Sequence, residues 1–328
     1  MSNVTVSQPV KKQSGVSRFF KKLLLEYNTI LMLIILVIIS SCISDKFFTA
    51  GNIINLLRQN VALGVIAMGM LFVILTGGID LSVGSIAAVG SVMVATFLAT
   101  SGFNVVVAII LTILIGLALG LVSGVLVAYA KMAPFIATLA MMTIARGIAY
   151  IVSNGSPIST PTGTLNVIGT ASAGPIPALI IFAIVVVVLF FLILRFTSFG
   201  RIVVATGSNE KAVQLAGIRV NTYKLAVYGI SGICSALGGI VIATRTYIGS
   251  PIVGEGMELD AIAAVVIGGA SLNGGKGYVF RTIVGVIILG LITNIMNLAG
   301  VPPYPQEVIK GLIIIGAVFL QGITDKSR

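Results

Sequence analysis

Nine carboxylates, twenty Lys or Arg and no histidine are spread over 328 residues. Without imidazole, neither a histidine metal site nor a histidine proton relay can be built. Asp80 is the sole acid between Lys46 and Lys131, within Gly77-Gly78-Ile79-Asp80-Leu81-Ser82-Val83-Gly84. An acid between two apolar runs could bind a coupling cation or a proton. The same run also reads as a re-entry turn, in which Asp80 or Ser82 satisfies the free amides that open the next helix. The flanking glycines favour that turn. Arg245, Glu255, Glu258 and Asp260 gather near predicted helix ends, where they either anchor those ends or face a partner. Inside apolar runs the polar residues are few: Asn60, Ser91, Asn294, Asn297 and Arg146. Asn294 and Asn297 share a helix face at three-residue spacing. They could hydrogen-bond a polyhydroxylated solute, as could Asn60, or tie helices together. Arg146 should meet a carbonyl or an acid, or snorkel to an interface.

A second group sits in a charged stretch, Gly207-Ser208-Asn209-Glu210-Lys211-Ala212-Val213-Gln214-Leu215-Ala216-Gly217. Asn209 suits an N-cap, Glu210 the positive first turn and Gly217 the C′ position. A helix of about eight residues, roughly 12 Å long, is expected between them. Ala212, Leu215 and Ala216 share one face. Such a capped knob either docks into a partner's groove or lies on lipid headgroups. The run from Ala270 to Gly277 superficially resembles a phosphate-binding loop. It fails that pattern, with Ala270 in place of the first glycine and Gly277 in place of the Ser or Thr. No nucleophile–base constellation is present, no cofactor or metal site is expected, and any ATP must be hydrolysed by a partner.

The elements that must position these residues are membrane helices. The chain is 57% apolar and 9% charged, against about 25% charged in a soluble domain. That excludes an ordinary soluble enzyme and a disordered chain. No charge occurs between Asp80 and Lys131 or between Arg146 and Arg195, and each gap holds two spans of roughly 20 residues. Ten spans are expected, near 28–44, 54–76, 83–100, 104–130, 134–152, 176–195, 225–244, 258–273, 281–299 and 307–322, in an all-α polytopic membrane protein. With both termini in the cytoplasm, 15 of the Lys and Arg residues fall inside, four outside (Lys46, Arg58, Arg245, Lys310), and Arg146 within a span. This excess fixes the expected orientation. It also accounts for the net charge of +11 without nucleic acid. The organisation is a basic cytoplasmic segment 1–26, a single transmembrane domain 27–324 with a cytoplasmic loop 196–224, and a tail 325–328. The run Ile39-Ser40-Ser41-Cys42 has the look of a lipoprotein cleavage site, but the long polar leader and the helices that follow favour a retained first span. Stripes of small residues, Gly116, Gly120 and Gly124, and Ser231, Ser235 and Gly239, predict close helix packing. With Cys42 and Cys234 both in apolar stretches, no disulfide framework is indicated.

Several of these motifs carry a resemblance. Leu75–Gly84, Pro134-Phe135-Ile136-Ala137-Thr138-Leu139, Glu258–Gly269 and Gly207–Ala212 followed by Gly217-Ile218 resemble, in the same order, the membrane subunit of ribose-type ABC importers. The likeness runs from about residue 45 to 322. It implies a dimer of permease subunits in the bacterial inner membrane, two cytoplasmic ATPases docked beneath, and an extracytoplasmic binding protein that delivers a monosaccharide. It also implies that 207–217 is the ATPase-coupling element, and it makes Arg245, Glu255, Glu258 and Asp260 candidates for contact with the binding protein. Ribose members commonly read Gly-Val-Ser-x-Tyr-x-Gln at the last outer turn. Here the run is Gly300-Val301-Pro302-Pro303-Tyr304-Pro305-Gln306. Relatives carry other sugars or autoinducer-2. An ion-driven secondary transporter is the rival from a different class.

Overall fold

A computed structural model describes residues 28–326 apart from residue 164. The basic segment 1–26 and the last two residues of the tail lie outside the described residues. The helices are α1 (Asn28–Ile43), α2 (Ala50–Leu75), α3 (Val83–Ala99), α4 (Val105–Ala128), α5 (Pro134–Ser153), α6 (Leu165–Thr170), α7 (Ala178–Phe196), α8 (Ser198–Ser208), α9 (Glu210–Leu215), α10 (Val220–Thr246), α11 (Met257–Ile267), α12 (Val279–Leu298) and α13 (Pro303–Lys326). Four two-residue strands form two antiparallel ladders. β1 (Ile158–Ser159) pairs with β4 (Ile248–Gly249), Ile158 opposite Gly249, and β2 (Ser172–Ala173) pairs with β3 (Ile176–Pro177).

Each of the ten apolar runs contains a helix. Six helices among the described residues, α2, α4, α5, α7, α10 and α12, are long and apolar enough to cross a membrane. The eighth run is the exception to its expected length. Instead of 258–273, α11 has eleven residues, roughly 16 Å, short of the ~30 Å hydrocarbon core. Its backbone ends at Gly268-Gly269, where Gly269 takes φ +86°. The connection 196–224 also differs from the single short helix expected, since α8 precedes α9. A side chain at Gly200 would overlap the carbonyl oxygens of Ile193 and Leu194.

α10 is the centre of the bundle, packed on α2, α3 and α4. Apolar burial does not pull helices together in lipid, so close approach through small residues has to do it. The two stripes do this on different faces. Cβ atoms at Gly116 or Gly120 would overlap the α10 backbone at Gly232 or Tyr228, and one at Gly239 would overlap Ala87 of α3. Buried hydroxyls such as Thr112, Ser235 and Thr244 return their hydrogen bonds to carbonyls four residues back, which satisfies them where no water is available. The most apolar 18-residue window of α2 is 78% buried and that of α7 is 17% buried. α2 is therefore core, and α7, with Ile184, Val185 and Leu189 exposed, offers its side chains to lipid.

Candidate functional site

At one end of the bundle stands α9. Asn209 Oδ1 accepts from the Ala212 amide at 3.0 Å, as an N-cap should. Gly217 takes φ +80° and lets the chain turn away. α9 has six residues rather than about eight. Val213 is buried and anchors it, whereas Ala212, Leu215 and Ala216 are exposed on one face, Leu215 at 90%. Glu210 is tied to Lys224 of α10 at 2.7 Å. α8 forms the base of this knob. Phe199 stacks between Phe72 of α2 and Tyr223 of α10. A side chain at Gly207 would overlap the Leu75 carbonyl at the end of α2, and one at Gly275 would overlap Ser208. The glycine-rich run 268–277 thus lies against both α8 and the end of α2, where the Gly275 amide donates to Leu75 O at 3.0 Å, and it is closed on itself by the Ser271 amide donating to Lys276 O.

The second assembly begins where α2 ends. Gly77, at φ +78°, reverses the chain, and residues 77–82 run back into the bundle without helix. Gly78 lies against the Tyr228 hydroxyl, which is buried with no hydrogen-bond partner. Asp80 is fully buried. Its Oδ1 accepts from the Ser82 amide and hydroxyl, and its Oδ2 from the Ser231 hydroxyl at 2.7 Å. Ser231 sits roughly 16 Å along α10 from Val220, so Asp80 lies against the middle of that helix. Neither of the two caps proposed reaches the amides of α3: Asp80 bonds Ser82, which precedes the helix, and Ser82 makes no side-chain cap.

A matching interruption comes from the other end. After β4, residues 250–256 descend without helix, and α11 starts at Met257. This stretch meets the first turn of α3: a Cβ at Gly84 would overlap both Gly254 O and Glu258 Oε2. Arg146 of α5 closes over this point, with Nη1 donating to Pro251 O and Val253 O at 2.5 and 2.8 Å. Arg146, Glu255 and Glu258 line one cavity of 460 Å³ with Ser85, Met142, Thr143, Gly147 and Gly256. The outer charges therefore do not form a single patch. Arg245 donates to Gln59 O on α2, and Asp260 lies within electrostatic reach of Lys310, Glu307 and Glu258. Glu258 also lines the cavity.

The chain was compared with known proteins on this footing. Residues 52–318 match the family model described as branched-chain amino acid transport system / permease component. The chain belongs to this permease family. It is 45% identical to the ribose import permease protein of Bacillus subtilis strain 168, over 88% of this chain and 90% of that one. With the ribose import permease protein of Escherichia coli K12 it shares 40% identity over 94% and 97%. With the L-arabinose transport system permease protein of the same strain it shares 34% over 100% and 99%. No solved structure matches the chain.

In this permease Asn294 and Asn297 link helices, whereas Asn60 bonds within its own helix. Asn294 and Asn52 exchange amide hydrogen bonds at 2.9 and 3.2 Å, and Asn297 Oδ1 accepts from Gln306 Nε2 at 2.9 Å. Asn60 donates to Leu56 O and packs on Gly290. Although Asn60 borders a 250 Å³ hollow between α2, α7 and α12, the other lining residues are apolar or glycine. The geometry therefore favours the second of the two roles open to these amides. Sequence reasoning missed Ser231 as the partner of Asp80, and Arg146 with Glu258 as neighbours. The signal for the first was present, since a buried acid requires donors and the α10 stripe contains serines. The second pairing joins residues 112 positions apart through two unwound stretches, and no local pattern carries it.

Proposed function

We propose that this chain is the membrane-spanning permease subunit of an ATP-driven ABC importer, with ribose as its solute. It would sit in the bacterial inner membrane with ten helical segments and both termini in the cytoplasm. It would pair with a second permease subunit, receive ribose from an extracytoplasmic binding protein, and dock a cytoplasmic ATPase through α9. The observation that carries this reading is the knob itself: a capped helix presenting exposed Leu215 between Ala212 and Ala216, on a base clamped to α2, α10 and the 268–277 run. An isolated surface helix has no use for such a base, whereas a lever does. The orientation has support too. Lys131 reaches Asn221 at 2.8 Å and Lys224 reaches Glu210, so cations assigned to the inside gather at the α9 end. Arg58 and Arg245, assigned outside, bond Gly169 O and Gln59 O at the opposite end. The ribose assignment is supported by relatives named for ribose at 40–45% identity.

Function follows from alternating access. ATP closes the paired ATPases, the docked knobs move together, and the path between the permease subunits reopens on the other side. The test is uptake of labelled ribose into proteoliposomes holding the complete importer. Uptake should require internal ATP and ignore an uncoupler. The ion-driven alternative draws on one observation, the fully buried Asp80 at the middle of α10. Uptake that stops with the uncoupler and continues without ATP would establish that alternative.

A further inference from the structure

We infer that the cavity between the interrupted segment 250–256, the first turn of α3 and α5 is the sugar-contacting station of the translocation path, with Glu258 and Arg146 binding the sugar hydroxyls. The inference rests on the importer reading and names the place where that importer touches its cargo. Three observations lead to it. First, the backbone is non-helical at 77–82 and 250–256, and the second stretch meets the first turn of α3, just past the first stretch, at Gly254 and Gly84. Irregular backbone at membrane depth is tolerated where it is buried in protein or lines a cavity, and solute sites of transporters favour such broken helices. Second, the cavity holds 460 Å³, within the roughly 300–1,000 Å³ of small-molecule sites. Third, it is lined by charged side chains that do not pair with one another. Glu258 Oε2 is buried with no hydrogen-bond partner. Among the described residues the ion pairs are Lys224–Glu210 and Lys310–Glu307, so neither Arg146 nor the two cavity carboxylates pair with each other.

A polyol fits that lining. A carboxylate only accepts hydrogen bonds and a guanidinium only donates them. Neighbouring sugar hydroxyls do both, so one ring can donate to Glu258 and accept from Arg146. The carbonyls of Pro251 and Val253 hold the guanidinium in place, which preorganises the donor. Ser85 and Thr143 add hydroxyls on the α3 and α5 walls.

The test uses the reconstituted importer with labelled ribose, first checking that wild type imports ribose with ATP; if it does not, the importer reading fails and this assignment is not what failed. Glu258→Gln keeps size and removes the charge, and it should lower uptake at least tenfold. Thr143→Cys, in a chain with exposed Cys42 replaced by Ala, reports occupancy independently of that variant. Its modification by a methanethiosulfonate reagent should slow at least threefold when ribose-loaded binding protein replaces empty binding protein in the presence of ATP. A Glu258→Gln importer that keeps more than half of wild-type uptake overturns the assignment. A labelling rate at position 143 that ignores the sugar also overturns it.

Discussion

Two side chains a few residues from the same turn carry opposite expectations. Asp80 accepts three hydrogen bonds, from the Ser82 amide and hydroxyl and from the Ser231 hydroxyl. Truncation to alanine strands the Ser82 amide and the Ser231 hydroxyl in a dry site, at roughly 1–3 kcal/mol for each buried group left unpaired. Asp80→Ala should therefore lower the thermal unfolding midpoint in detergent. The Tyr228 hydroxyl makes no hydrogen bond. Tyr228→Phe removes a buried unpaired group and should leave the midpoint unchanged or raise it. If both variants melt alike, the Asp80 network contributes nothing to stability. Asp80 also marks the difference between residue type and residue setting. Its type suggested a cation site, but its setting is that of a bolt joining the re-entrant turn to α10.

For α9 the argument concerns shape. Leu215 contacts almost nothing in this chain, being 90% exposed, so its contribution appears only with a partner. Burying one leucine side chain stabilises by roughly 1.5–3 kcal/mol, about a 10- to 100-fold change in affinity. Leu215→Asp should fold normally and weaken association with the ATPase by that factor in a pull-down titration. Ala212→Trp places a bulky ring on the same exposed face and should abolish docking. Gly217 differs in mechanism. No atom lies within 4 Å of a Cβ there, but φ is +80°. Gly217→Val therefore strains the backbone, at roughly 1–2 kcal/mol, and tilts the knob. Both variants should insert in the membrane and lose ribose uptake. Normal uptake with the ATPase bound would show that 209–217 is not the coupling element. α8 explains why a short knob can act at a distance. Its close fit at Gly207 and its Phe199 stack connect α9 rigidly to the end of α2 and to the turn that follows.

At the scale of the whole molecule the testable property is orientation. Thr162 and Ser208 are both exposed and sit at opposite ends of the bundle. A cysteine at Thr162 should react with an impermeant thiol reagent applied to intact cells, and one at Ser208 should not. Reversed labelling would invert the assignment of every segment. Much of the architecture is legible in the residues alone. Uninterrupted apolar runs without charge can only be membrane helices, because lipid offers no partner for a bare amide, and their ends fall within a few residues of the glycine and proline clusters. The caps of α9 are equally local: Asn209 and Gly217 act on amides and dihedrals next to them in the chain. The short α11 and the inserted α8 were not legible, since a glycine that ends a helix and one that admits a neighbouring backbone look the same in a sequence. The cavity was the least accessible of all. It needs Gly84 against Gly254 and Arg146 beside Glu258, pairings between segments more than a hundred residues apart. Composition and local pattern determined that this chain is a helical membrane protein with a capped knob. Only tertiary packing decided which polar side chains are tied to one another and which are left facing a hollow, because burial and partnership are properties of the folded neighbourhood.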